Sequence, residues 1–334
     1  MNKLFNIGRT KMIDEAAYMH KPATFGKIFW PFLLVFMGTN LFSGLIVGLV
    51  TTVYDTIIYT KNGIYGQIVE MLKNGDSYKD VMTVLEENPV STPWWMTYVI
   101  LFSSAITIVG AIYYCKKVEK RPITSMGLRK NGVALEIILG LLIGLCMVLA
   151  MTAILHFSGA VKFFRNPFDQ RIFRPSIVLF FLGFLVQAVS EELLYRGFFL
   201  TSLSRDIRPI FSALICALVY SVFNFSSVLS FINAFLFAFL LNVYVLKRGS
   251  LWGSIMIRFV WLFTESAVLG TTGELSALFL PAYKKNMLLL TGEYGYGLGD
   301  GLLSTAVLIF VCALLLLLKT KKSERSAVEI EYFN

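Results

Sequence analysis

Two adjacent carboxylates, Glu191 and Glu192, followed by Arg196, are the residues of this chain best placed to do chemistry. On a helix, Glu192 and Arg196 are spaced i, i+4 and pair on one face. Glu191 is rotated by about 100° from its neighbour and points toward another helix. Two carboxylates in a low-dielectric interior repel, so one takes up a proton unless a cation balances them. The candidates to complete such a site are the other ionisable groups in apolar surroundings: Glu136, Arg258 and, near a helix end, Glu265. Each is a functional candidate because a charge inside a membrane is costly. Glu136 lies beside Arg129 and Lys130 and reads as a snorkelling interfacial residue. Glu265 follows Arg258 by seven residues, so it either extends a polar network or meets the interface. Asn224, Asn233 and Asn242 read as interhelical hydrogen-bonding groups, with the lining of one shared cavity as the alternative.

The elements that must hold these residues follow from composition. Of 334 residues, 56% are hydrophobic and 15% charged, and the mean hydropathy is +0.69. That is too apolar for a soluble enzyme, a disordered chain or a disulfide scaffold. The expected fold is all-α and polytopic, with eight spans near 28–53, 95–115, 133–156, 176–197, 209–225, 228–247, 250–269 and 301–318. The first 27 residues are polar and basic without an apolar h-region, so the first span is expected to act as the insertion signal. With the N-terminus inside, twenty Lys and Arg fall on the cytoplasmic side against nine outside. Both termini are therefore expected in the cytoplasm. The net charge of +9 then lies near anionic lipid headgroups, and no nucleic-acid partner is needed to explain it.

The organisation expected is a cytoplasmic N-tail (1–27), one transmembrane domain (28–319) and a cytoplasmic C-tail (320–334). Within 56–93, Ile64, Ile68, Met71 and Leu72 mark one amphipathic helix; Gly75 ends it, and Asp76 or Ser77 caps a second that Pro89 stops. A small helical hairpin on the outer face is predicted there. Residues 270–300, rich in Gly, Pro and aromatics, read as an irregular loop. The glycines from Gly292 to Gly301 lack the Lys-Ser/Thr of a phosphate loop. Cys115, Cys146, Cys216 and Cys312 stand singly in apolar runs, as small buried hydrophobes. The two histidines, His20 and His156, fall in the N-tail and at the outer end of the third span, where solvated and interfacial roles are expected.

Glu-Glu-X-X-X-Arg on a membrane helix, here Glu191 to Arg196, resembles the first motif of the CPBP family, the CAAX-protease and bacteriocin-processing (Abi) intramembrane metalloproteases. Arg196-Gly197-Phe198-Phe199-Leu200 is similar to the usual continuation of that motif. Gly127-Leu128-Arg129 looks like a short cytoplasmic element of the family, and Arg248-Gly249-Ser250-Leu251-Trp252 resembles the lead-in to its last motif. The resemblance implies a CPBP-like core over about 120–266, a bacterial source and a plasma-membrane location. It also implies that one Glu activates a water while a His on each of two later helices completes the site. At those positions this chain departs from the pattern: Tyr220 and Arg258 stand where the histidines belong, and Leu262 where Asn or Asp belongs.

An arginine cannot act as a metal ligand or a general base at neutral pH. Arg258 is therefore expected to bridge to Glu191 or Glu192, with Tyr220 supplying a hydrogen bond, so that Glu191, Glu192, Arg196, Tyr220 and Arg258 form a vestigial or altered catalytic group. Asn224 and Glu265 are its possible cavity-lining companions. No cofactor or metal is expected, and the predicted role is an inactive pseudoprotease that scaffolds or regulates a membrane or cell-envelope protein. The alternative is an active metal-dependent endopeptidase with altered ligands, in which zinc would rest on Glu191 and Glu192. A transporter lacks support, since no repeat symmetry or paired broken helices are present.

Overall fold

A computed structural model of the chain describes residues 7, 9–18, 23–91, 93, 95–165, 176–272, 277–292 and 297–317. It is an all-α multi-pass membrane protein. Among the described residues, five helices are long and apolar enough to cross a bilayer: Phe25–Lys61, Met96–Val118, Val133–Phe157, Ile177–Asp206 and Val228–Arg248. The other three expected spans are shorter helices: α10 (Pro209–Phe223), α12 (Trp252–Phe263) and, after the four-residue α13 (Leu288–Thr291), α14 (Leu302–Leu317). The expected C-tail lies outside the described residues.

Helix boundaries follow local chemistry. In α10, Pro209 sits at the start, where a missing N–H leaves no helical bond unmade. The hydroxyl of Ser227 accepts the Ser230 N–H at 3.0 Å and opens α11 (Val228–Arg248). Gly249, at φ +65°, closes α11 in the left-handed conformation that suits glycine. The second expected span is broken at Ser104 into α5 (Met96–Ser103) and α6 (Ala105–Tyr113). Ser103 and Ser104 donate back to the carbonyls of Ile100 and Leu101 at 2.7 and 2.5 Å, which competes with the helical ladder.

Close packing fixes α12, the helix that carries Arg258. Gly140 and Gly144 of α7 (Val133–Phe157) face it, and a side chain at Gly140 would collide with the Gly253 backbone. At Gly144 an added Cβ would come 2.9 Å from Val260. Small residues four apart let two helices approach in this way within a membrane.

Three regions differ from the sequence expectation, and a fourth, the hairpin, agrees with it. The helix α2 (Phe25–Lys61) does not stop near 53, and its 37 residues span about 56 Å, far more than a bilayer core needs. The predicted hairpin is present as α3 (Ile64–Asn74) and α4 (Tyr78–Glu87), with Ser77 and Asp80 forming a capping box. It extends from the tip of α2 with only Ile64 and Val81 buried. The N-terminal segment is not simply a tail: α1 (Lys11–Ala17) buries Met12, Ile13 and Ala16 against residues 123–126 and α9 (Thr201–Asp206). Residues 270–300 are not wholly irregular, because β2 (Phe279–Tyr283) pairs antiparallel with β1 (Val161–Arg165). This ribbon escapes local pattern reading because its strands are far apart in sequence and Pro281 interrupts one of them.

Candidate functional site

Glu191 and Glu192 end α8 (Ser176–Glu192), and the helix then widens into a π-helical stretch, Leu193–Leu200, before continuing as α9. Such insertions cluster at functional sites. Arg196 lies within the widened stretch and is fully buried. Its Nη1 donates to Glu192 Oε1 at 2.9 Å and its Nε to Asn242 Oδ1 at 3.0 Å. The Asn242 amide donates in turn to the Ala213 carbonyl at 2.8 Å, so one hydrogen-bonded chain links α8, α11 and α10. Glu192 itself has no solvent exposure. Further hydrogen bonds satisfy the guanidinium, while Glu192 Oε2 is buried without a hydrogen-bond partner among the described residues.

Glu191 faces the other way. Arg258 reaches it from α12 with Nε at 2.8 Å and Nη2 at 2.6 Å, both on Oε2. Gln187, one turn earlier on α8, donates to Oε1 at 3.2 Å. Gln187 is not among the expected site residues, although its i−4 spacing from Glu191 is a usable signal. The Arg258 guanidinium stacks on Tyr220 and Phe237, 5.8 and 5.5 Å from the ring centroids. Tyr220 also lies under Arg196 at 5.0 Å. Tyr220 therefore meets the two cations through its ring, where a hydroxyl bond had been expected; a weakly hydrated guanidinium stacks well on an aromatic face. The four charges, two of each sign, balance.

Two cavities flank this centre. The larger, about 560 Å³, lies between α2, α5–α6, α8 and α10 and is bordered by Glu191, Tyr195, Asn40 and Thr107. The smaller, about 380 Å³, is bordered by Arg258, Tyr220, Trp261 and Glu265. Asn224, at the end of α10, borders both. Glu191 and Arg258 thus stand on opposite chambers and touch between them.

Glu265 is buried in a π-helical turn, Thr264–Val268, that continues α12. Its Oε1 accepts the N–H groups of Leu298 and Gly299 at 2.6 and 3.2 Å, which ties down the segment before α14. Asn233 holds the same segment by donating to the carbonyls of Gly299 and Gly301 at 2.7 and 3.0 Å.

Glu136 does not snorkel. It is 5% exposed, accepts from Arg248 at 2.5 Å and receives the Tyr244 hydroxyl at 2.8 Å. Tyr244 and Arg248 are one turn apart on α11, which is how they converge on one carboxylate of α7. His156 is exposed at the end of α7 beside Phe157, and His20 lies outside the described residues. The Gly127-Leu128-Arg129 and Gly249-Ser250-Leu251-Trp252 elements dock on each other. Leu251 donates its N–H to the Gly127 carbonyl at 3.0 Å and Trp252 its indole N–H to the Arg129 carbonyl at 2.8 Å. An unforeseen knot joins Glu119 to Arg121 at 2.8 Å and to Arg205 at 3.0 Å.

Among known proteins, a family model described as type II CAAX prenyl endopeptidase Rce1-like matches residues 173–264. The matched segment carries Glu191, Glu192, Arg196, Tyr220 and Arg258, and it agrees with the CPBP resemblance. No curated protein and no solved structure matches the chain.

Proposed function

We propose that this Rce1-like membrane protein is a pseudoprotease of the plasma membrane, with both termini in the cytoplasm, that scaffolds or regulates a membrane or cell-envelope protein. The observation that carries the reading is the two-point grip of Arg258 on Glu191. In a catalytic relative the resemblance implies an imidazole at that position; here a permanent cation neutralises the carboxylate that would activate water. The donor set does not suit zinc, which takes three or four thiolate, imidazole or carboxylate ligands: the site offers two carboxylates, each already paired with an arginine. Tyr220 and Arg258 offer neither of the imidazoles that the resemblance calls for. Among the described residues, no three of His, Cys, Asp and Glu gather as a metal site. The larger cavity beside Glu191 remains available to a lipid or a peptide end.

The test is metal content of the detergent-solubilised protein by mass spectrometry, with a Glu191→Ala/Glu192→Ala control, followed by co-purification of partners. The expected result is no stoichiometric metal in either protein. Zinc at one per chain that the control loses would overturn the proposal in favour of an active endopeptidase.

A further inference from the structure

The smaller cavity holds an electrostatic imbalance that the Glu191–Arg258 pair does not absorb. Arg258 borders it but is committed to Glu191, and Arg196 is committed to Glu192. Glu265 is the third buried carboxylate of this region, and no Lys or Arg among the described residues forms an ion pair with it. Backbone N–H groups reach its Oε1, the Trp261 indole and the Arg258 charge also act on the carboxylate, and the side chain borders the chamber. A carboxylate so buried calls for a compensating positive charge or a proton.

The walls indicate which kind of cation fits. Phe225 and Trp261 add aromatic rings, which attract cations, while the Tyr220 and Phe237 rings already carry the Arg258 guanidinium. Ser230 and Asn233 also border the cavity, and about 380 Å³ suits a small organic group. A bare divalent metal is poorly served by a single carboxylate, since hard cations take six or more oxygen ligands or retain their waters. An anion would meet Glu265 and find Arg258 already paired.

We propose that this chamber binds an organic ammonium group at its Glu265 end, with Glu265 as the counter-charge and Trp261 and Phe225 as the aromatic contacts. A free amine and the ammonium head of a lipid carry the same chemistry. The site does not depend on whether the Glu191–Arg258 centre is catalytically inactive.

The protein in phosphatidylglycerol nanodiscs would be titrated with ethanolamine and with tetramethylammonium while tryptophan fluorescence is recorded, using Trp261→Phe to assign the signal. A saturable change that Trp261→Phe removes is expected. In Glu265→Gln, which keeps an oxygen for the Leu298 and Gly299 N–H groups, the apparent Kd should rise at least tenfold while the thermal midpoint holds. Loss of the ethanolamine response in phosphatidylethanolamine nanodiscs assigns the site to the lipid head, and its persistence assigns it to a soluble amine; both uphold an ammonium site. An equal response to sodium chloride, unchanged affinity in Glu265→Gln, or no saturable signal from either amine overturns it.

Discussion

Arg258 and Glu191, on α12 and α8, meet through two guanidinium nitrogens on one carboxylate oxygen, and each borders a different cavity. Both side chains are largely buried, at 11% and 19% exposure. Removing one partner from such a pair leaves an uncompensated charge in an apolar setting. Arg258→Ala should therefore lower stability by about 3 kcal/mol, read as a drop in the thermal unfolding midpoint in detergent. Arg258→Met combined with Glu191→Leu removes both charges and should recover most of that loss; a double variant as unstable as the single one would sink the argument.

Restoring imidazoles tests why metal is not expected. Tyr220→His with Arg258→His removes the competing cation and supplies the two donors that the resemblance calls for. Purified with zinc and dialysed, this variant should retain about one zinc per chain by mass spectrometry, and adding Glu191→Ala should abolish it. Retention of zinc by the unaltered protein would count against the role given to Arg258.

Packing supplies a third expectation. At Gly140 a methyl group would overlap the backbone of Gly253, which no rotamer change can relieve. Gly140→Ala should cost about 1–3 kcal/mol by forcing α7 and α12 apart. Gly38→Ala, inside α2 where an added Cβ meets nothing, serves as the control and should not lower the unfolding midpoint.

The bond network at Glu136 can be dissected in the same way. Tyr244→Phe deletes one hydroxyl bond of 2.8 Å and should cost about 1 kcal/mol. Glu136→Leu strands Arg248, which keeps 29% side-chain exposure and can turn toward water. Its penalty should accordingly be smaller than that of Arg258→Ala, measured by the same unfolding curves.

What the sequence made legible was whatever is written locally. Eight apolar runs, the hairpin stop at Gly75 and the pairing of Glu192 with Arg196 all follow from spacing within one or two turns. The bridge from Arg258 to Glu191 was legible for another reason: buried charges in a membrane must balance, and few were available. Glu136 was misread because its partners, Tyr244 and Arg248, lie over a hundred residues away and its near neighbours are basic. The same distance hid the β1–β2 ribbon and the Glu119–Arg205 contact. Tyr220 lies beside both arginines, but whether a tyrosine offers its ring or its hydroxyl depends on where the guanidinium lies.

The ribbon bears on the order of assembly. Val161 to Arg165 must wait for Phe279 to Tyr283, so every helix from α8 to α12 leaves the ribosome before the two strands can meet. Closing so long a loop carries an entropic penalty that rises only slowly with length, but it cannot be met early. The strands therefore act as a late clasp around a bundle already inserted, and β1 waits as an open edge throughout synthesis of that bundle.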